Sequence, residues 1–174
     1  KLWGLVSCRP RLIFCSLHIL NMMDERVTYV LTSMLEDVIK RGTGRRARVL
    51  ERDDLAGKTG TTNGPRDAWF SGYNRDLVTT TWVGFDDYNL LGRREFGGTA
   101  ALPIWIDYMR VALPPEEAAA EMPPGVVRLR IDKESGARTN SQSSSIWEVF
   151  LEEFTPSAKA GGNKDSDDDL DGLF

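Results

Sequence analysis

The sequence is poor in the residues that build metal and redox sites. It has two cysteines, Cys8 and Cys15, and one histidine, His18, among 174 residues. Two cysteines are too few for a disulfide framework, and their spacing does not match the C-x-x-C pattern of zinc and redox sites. We therefore expect neither a metal centre nor a bound cofactor.

The sequence also lacks a long apolar run and an excess of positive charge. Arg9, Pro10 and Arg11 interrupt the apolar N-terminal segment, and residues 12–20 fall far short of the ~20 apolar residues that span a bilayer. Lysine and arginine total 22 against 26 acidic residues, which gives a net charge of -4. We predict no membrane span in this chain, no recognisable targeting signal and no nucleic-acid partner.

Residues 24–42 show the clearest periodic pattern in the chain. Acidic residues at the start of this segment and basic residues just before Gly42 match the signals that begin and end a helix. The pattern predicts an amphipathic helix whose apolar face lies in the core. That face consists of Val27, Val30, Leu31, Met34, Leu35, Val38 and Ile39.

Three strand-like segments follow this helix, at residues 55–62, 68–73 and 77–85. Their β-branched and aromatic residues favour strand over helix, and residues 74–76 are a short hairpin connector. Residues 97–113 then predict a second helix, capped by Thr99, that covers one face of the sheet. The predicted fold class is α/β (α+β), with an antiparallel sheet flanked by helices.

The composition changes along the chain and predicts four parts. Residues 1–20 are an atypical N-terminal segment, residues 21–113 are the helix and sheet region, and residues 114–154 are a linker with a small accessory segment. In the accessory segment a hairpin is expected to turn at residues 134–136. Residues 155–174, which carry five aspartates among the last ten positions, are expected to be a disordered acidic tail.

The Lys-Thr-Gly run that begins at Lys58 allows three interpretations. A phosphate-binding loop is disfavoured, because Arg52 stands where the motif needs its first glycine and no helix can follow. A turn with a solvated lysine is the second interpretation. The third is an edge strand of an acyl-transfer site, in which Thr59 and Thr61 share one face and offer hydroxyls to a carboxylate. In such a strand the backbone N–H groups pair with an extended substrate or stabilise an oxyanion.

The segments around this run resemble the C-terminal part of the transpeptidase domain of class A penicillin-binding proteins. The likeness extends in order over roughly residues 21–113. It is carried by "VTYVLTSMLEDVIKRGTGRRA", "DLAGKTGTTNGPRDAWFSGYN", "LVTTTWVGFDD" and "LGRREFGGTAALPIWIDYM". The resemblance implies a β-lactamase-like transpeptidase fold, here incomplete, and a serine acyl-enzyme that cross-links peptidoglycan stem peptides and reacts with β-lactams. It also implies a parent protein with a glycosyltransferase domain, at the periplasmic face of the bacterial inner membrane.

The resemblance also implies roles for individual residues. Lys58, Thr59, Gly60 and Thr61 match the family's K-T-G-T motif, which the acyl-serine enzymes share. Thr59 and Thr61 would bind the carboxylate of the substrate or antibiotic, with Gly60 and Thr62 lining the same strand. The Thr61 N–H would form half of the oxyanion hole, and Lys58 would support the proton network.

The family's nucleophile motif is absent from this sequence. No serine has a lysine three positions later, and no S-x-N occurs. We therefore expect a fragment of a peptidoglycan D,D-transpeptidase that is inactive alone, with surface exposed for self-association. The alternative is a noncatalytic peptide-binding or interaction module. Residues 1–20 resemble nothing in this domain, and a truncated or frameshifted gene is one hypothesis for their origin.

Overall fold

The computed structural model describes residues 2–8, 23–118 and 120–158, with residues 2–8 described by their backbone. The chain divides into two compact units, Lys1–Val126 and Val127–Phe174. The apolar run at residues 12–20 and the acidic tail beyond residue 158 lie outside the described residues. Within the described part, no helix is long and apolar enough to cross a membrane.

The first helix, α1, spans Glu25–Lys40 as the sequence pattern predicts. Asp24 caps it by accepting a 2.8 Å hydrogen bond from the Arg26 amide. Only its C-terminal end reaches the core, where Ile39 is buried. The prediction that the whole apolar face is buried is wrong at three positions. Val27, Leu31 and Met34 are 40%, 45% and 61% exposed, because no described segment covers the N-terminal part of this face.

The larger sheet contains the three predicted strands and a fourth that the sequence analysis missed. Strands β2 (Ala56–Thr61), β3 (Ala68–Tyr73) and β4 (Val78–Gly84) form an antiparallel meander. Strand β1 (Leu2–Cys8) pairs antiparallel with β4, so the order is β1-β4-β3-β2. Its letters, LWGLVSC, are mostly apolar without strict alternation, so periodicity alone did not identify it as a strand.

The second helix, α2 (Leu102–Ala112), covers one face of this sheet and continues a π-helical turn, Gly97–Ala101. Its Trp105 is fully buried, lies edge-on to Phe70 at 4.9 Å, and donates a 3.1 Å hydrogen bond to the Thr79 carbonyl. Thr99 is not the N-cap residue. Its hydroxyl instead accepts a 2.8 Å hydrogen bond from the Phe96 amide inside the π turn. The predicted class, mixed helix and antiparallel sheet, is confirmed.

A buried ion pair joins the entry of β2 to the segment after α2. Arg52 donates two hydrogen bonds, of 2.8 and 2.7 Å, to the two oxygens of Asp54, and a third, of 2.6 Å, to the Pro114 carbonyl. The two side chains are 10% and 2% exposed. Burial alone would raise the pKa of Asp54. The hydrogen bonds from Arg52, the Ala118 amide and Asn74 outweigh burial and hold that pKa below its usual 3.8.

The second unit is built on a two-stranded sheet of β5 (Val126–Asp132) and β6 (Ser145–Leu151), followed by a 3-10 turn at Glu152–Phe154. The predicted turn at residues 134–136 is present, and the Asp132 carboxylate accepts a 2.9 Å hydrogen bond from the Ser135 amide there. However, the strand that pairs with β5 is the later segment β6. The residues directly after the turn form isolated bridges instead of a strand, with Arg138 bridging to Ile131 and to Ala158.

Candidate functional site

The Lys-Thr-Gly run lies on the edge strand β2, which pairs only with β3 in the described sheet. The Thr62 amide donates a 3.2 Å hydrogen bond to the Asp67 carbonyl of the facing strand end. Because backbone groups alternate along an antiparallel strand, the N–H groups of Thr59 and Thr61 point to the free edge. The segment is an edge strand, as the third interpretation requires, and the turn interpretation is wrong for it. Its part in an acyl-transfer site stays a prediction.

Two polar groups lie beside the Thr59 hydroxyl. It lies 2.8 Å from the hydroxyl of Thr43, in the loop after α1, and 3.4 Å from the Lys58 ammonium. The same ammonium donates a 2.9 Å hydrogen bond to the Thr59 carbonyl. Lys58 therefore starts on the opposite face of β2 from Thr59 and brings its charge around the strand edge, as its flexible stem allows.

Thr61 is held by the loop that precedes α2. Its hydroxyl accepts a 3.0 Å hydrogen bond from the Gly97 amide. A Cβ on Gly97 would lie 2.3 Å from the Trp69 carbonyl oxygen and 2.6 Å from that of Gly60, so only glycine fits here. This close approach fixes the position of the loop across β2. The Thr61 side chain is thus hydrogen-bonded to the loop on one face of β2, while the Thr61 backbone N–H points to the free edge of the strand.

No protein-family model matches the chain. Penicillin-binding protein 1A of Pseudomonas aeruginosa is 58% identical over 139 residues, which cover 78% of this chain and 17% of that protein. The protein of the same name from Neisseria gonorrhoeae is 48% identical over 106 residues, 60% of this chain and 13% of that protein.

A solved structure supports the same comparison at the level of the fold. The crystal structure of penicillin-binding protein 1A from Haemophilus influenzae superposes with a TM-score of 0.71 and 35% identity, over 78% of this chain and 21% of that chain. The resemblance to penicillin-binding protein 1A is confirmed. The chain spans about a sixth of the length of the first curated relative that it matches.

In this penicillin-binding protein 1A-like segment, Thr62 directly follows the four residues of the K-T-G-T motif. Its hydroxyl accepts hydrogen bonds from the amides of Arg66 and Asp67, at 3.3 and 3.0 Å, in the turn between β2 and β3. The structure therefore gives Thr62 a part in shaping that turn. A direct contact between Thr62 and a substrate stays a prediction.

Among the described residues, no serine beside the motif has the surroundings of an activated nucleophile. Ser71 lies opposite Lys58 in the register of β2 and β3. Its hydroxyl is 2.9 Å from that of Thr80, which is a neutral partner and not a base. The described residues thus show no activated serine, in agreement with the absence of S-x-x-K from the sequence.

Sequence reasoning missed two residues that shape this site, Thr43 and Gly97. Thr43 lies in a basic loop with no motif of its own, and its distance from Thr59 depends on how α1 meets β2. The adjacent glycines Gly97 and Gly98 were a visible signal, because paired glycines often mark a close backbone approach. The sequence pattern alone interprets them only as the start of a helix.

Proposed function

We propose that this chain supplies the substrate-binding edge strand of a peptidoglycan D,D-transpeptidase. The observation that carries this proposal is the position of Thr59 and Thr61 on a free strand edge, with the Lys58 ammonium beside the Thr59 hydroxyl. The longer protein would bring the serine nucleophile and a glycosyltransferase domain, and would act on the cell wall at the periplasmic face of the inner membrane. The name of the matched relatives, penicillin-binding protein 1A, supports this assignment.

The geometry suits a stem peptide or β-lactam with a terminal carboxylate. The carboxylate would accept hydrogen bonds from the Thr59 hydroxyl and be attracted by Lys58, since charge-assisted hydrogen bonds are the stronger kind. The peptide backbone would pair with the free edge of β2 as an added strand. In the structure the Lys58 ammonium donates a hydrogen bond to the Thr59 carbonyl at that edge. Substrate binding would therefore move the ammonium from this carbonyl toward the substrate carboxylate.

The reaction proceeds through an acyl-enzyme in this proposal. The serine oxygen of the longer protein attacks the carbonyl between the two terminal D-alanines, and the Thr61 N–H stabilises the oxyanion. The C–N bond then breaks, and the terminal D-alanine leaves with a proton. An amine of a second stem peptide attacks the ester, forms the new amide bond and returns the proton to the serine oxygen.

Labelling with a fluorescent penicillin tests this proposal. Two proteins are compared by intact mass: the 174-residue chain, and a chimera in which it replaces the matching segment of the Pseudomonas aeruginosa relative. We expect one covalent adduct on the chimera and none on the chain. An unlabelled but folded chimera would refute the assignment, and a labelled serine in the chain would show that the nucleophile lies within it.

The absence of S-x-x-K from the sequence favours a second candidate, a noncatalytic peptide-binding module. In that case a peptide ending in D-Ala-D-Ala would bind the chain reversibly at β2. Amide chemical shifts of Thr59 and Thr61 would report such binding. An unlabelled chimera together with these shifts would favour the module over the transpeptidase.

Thr43 is expected to position Thr59 for the substrate carboxylate. In the chimera, Thr43→Val removes the 2.8 Å hydrogen bond to Thr59 and should slow penicillin acylation several-fold, because one hydrogen bond contributes about 0.5–1.5 kcal/mol. Thr43→Ser keeps the hydroxyl and should retain the wild-type rate. Acylation rates over a range of penicillin concentrations separate an effect on binding from one on chemistry. Equal rates for the valine and serine variants would contradict this role.

A further inference from the structure

The C-terminal unit carries a basic and aromatic surface of its own. Arg128 and Arg130 are two positions apart in β5, so both side chains leave the same face of the strand. Their guanidinium carbons lie 5.4 and 4.8 Å from the centre of the Trp147 ring, on β6. Trp147 is still 50% exposed. We name these three residues the Arg-Trp platform.

Contacts among the described residues do not account for the platform. None of the ion pairs among the described residues includes either guanidinium. The attraction of a cation to an exposed tryptophan is weak, and two like charges placed side by side repel each other. The charges are therefore available to a partner of opposite sign.

The stacking also prepares the arginines to bind carboxylates. A guanidinium group carries its N–H donors along the edges of a plane, and here the carbon of each group lies over the indole ring. Restricting that plane reduces the rotamer freedom that is lost when the donors engage a ligand. Each arginine thus offers a partly preorganised fork for a carboxylate, and the fork geometry gives two parallel hydrogen bonds.

We propose that the Arg-Trp platform binds the carboxylate-bearing stem peptides of peptidoglycan. It would be a docking site separate from strand β2. This inference rests on the proposed function for the identity of the polymer. A docking site of this kind would raise the local concentration of stem peptides around a cell-wall enzyme.

Charge and spacing favour this partner over other anionic polymers. The Cα atoms of residues two apart on a strand lie roughly 6.5–7 Å from each other, so Arg128 and Arg130 can each bind a different carboxylate group. A dense polyphosphate such as nucleic acid is bound by many basic groups, whereas the platform offers two arginines in a chain whose net charge is -4. One half-exposed indole is too little apolar surface to hold a protein on a membrane.

Co-sedimentation of the 174-residue chain with purified peptidoglycan sacculi tests the proposal. The double substitution Arg128→Gln and Arg130→Gln should weaken binding at least about tenfold, the loss expected when charge-assisted hydrogen bonds are removed. Arg138→Gln is the matched control, because Arg138 is an exposed arginine of the same unit outside the platform. It should bind as the unaltered chain does, and circular dichroism checks that all variants are folded.

Chemical blocking of the sacculus carboxylates as amides should weaken binding of the unaltered chain to the same extent. Three results would overturn the proposal: unchanged binding by the double variant, unchanged binding to the blocked sacculi, or equal binding to DNA or to phosphatidylglycerol vesicles. The penicillin experiment is independent of these residues, and a chimera with the double substitution should still be acylated. Failure of the platform and failure of the transpeptidase assignment are therefore distinguishable.

Discussion

Substitution of Asp54 by asparagine is expected to lower the free energy of unfolding by about 3–5 kcal/mol, the typical cost of breaking a buried ion pair by removing one partner. The variant leaves the Arg52 guanidinium, only 10% exposed, without a carboxylate. It also weakens the hydrogen bonds that Asp54 accepts from Asn74 and the Ala118 amide. Urea unfolding followed by circular dichroism measures the loss.

The exposed ion pair on α2 supplies the control for this substitution. Asp107 and Arg110 are 75% and 54% exposed, and Asp107→Asn should change stability by less than about 1 kcal/mol. Equal losses for Asp54→Asn and Asp107→Asn would show that the buried pair has no special role. A loss confined to Asp54→Asn would show that the buried ion pair stabilises the contact between the entry of β2 and the segment after α2.

The pH dependence provides a second check on Asp54. Its pKa is lowered in the folded state, so its contribution to stability is complete above the usual value of 3.8 and is lost as the pH falls below it. The free energy of unfolding of the unaltered chain should therefore decrease as the pH falls below about 4. Asp54→Asn lacks this group and should show a shallower decrease over the same range.

Local patterns in the sequence were sufficient to predict the elements that form the site. The spacing of apolar residues and the charges at both ends predicted α1 within two residues of its observed bounds. β-Branched and aromatic residues predicted β2, β3 and β4, and the motif predicted that Thr59 and Thr61 share a face. These features depend on short-range backbone geometry, which the sequence expresses directly.

Contacts between distant segments could not be predicted in this way. The distance between Thr43 and Thr59 depends on how α1 packs beside β2, and the Gly97 contact depends on where the loop before α2 crosses the sheet. The same holds for Arg52, which bonds a carbonyl far along the chain at Pro114. Such contacts are set by tertiary packing, which single-sequence periodicity does not contain.

The exposed part of α1 shows a different limit of sequence reasoning. An apolar helix face predicts that something covers it, but not which segment does so. Val27, Leu31 and Met34 remain uncovered by the described residues, while the chain spans only 17% of its Pseudomonas aeruginosa relative. Either a further part of a longer protein or a second copy of the chain would bury this apolar face. The self-association suggested by the sequence stays a prediction.

Among these substitutions, Gly97→Ala is expected to have the largest effect on strand β2. The added Cβ would stand 2.3 Å from the Trp69 carbonyl oxygen and 2.6 Å from that of Gly60, and backbone atoms of a sheet cannot move aside cheaply. The loop must then leave β2, at a cost of about 1–3 kcal/mol for overpacking, and the hydrogen bond to the Thr61 hydroxyl is lost. Thr61 would no longer be held, so penicillin acylation of the chimera should fall at least about tenfold.

The neighbouring glycine separates this steric effect from a general sensitivity of the loop. A Cβ on Gly98 would meet one backbone atom, the Thr43 carbonyl oxygen, at 3.1 Å, so a shift of a few tenths of an ångström relieves the contact. Gly98→Ala should therefore retain most of the acylation rate. If both variants lose acylation equally, loop flexibility and not the close approach of Gly97 controls the site. If Gly97→Ala alone loses it, the contact between this loop and Gly60 is what positions Thr61 for the oxyanion.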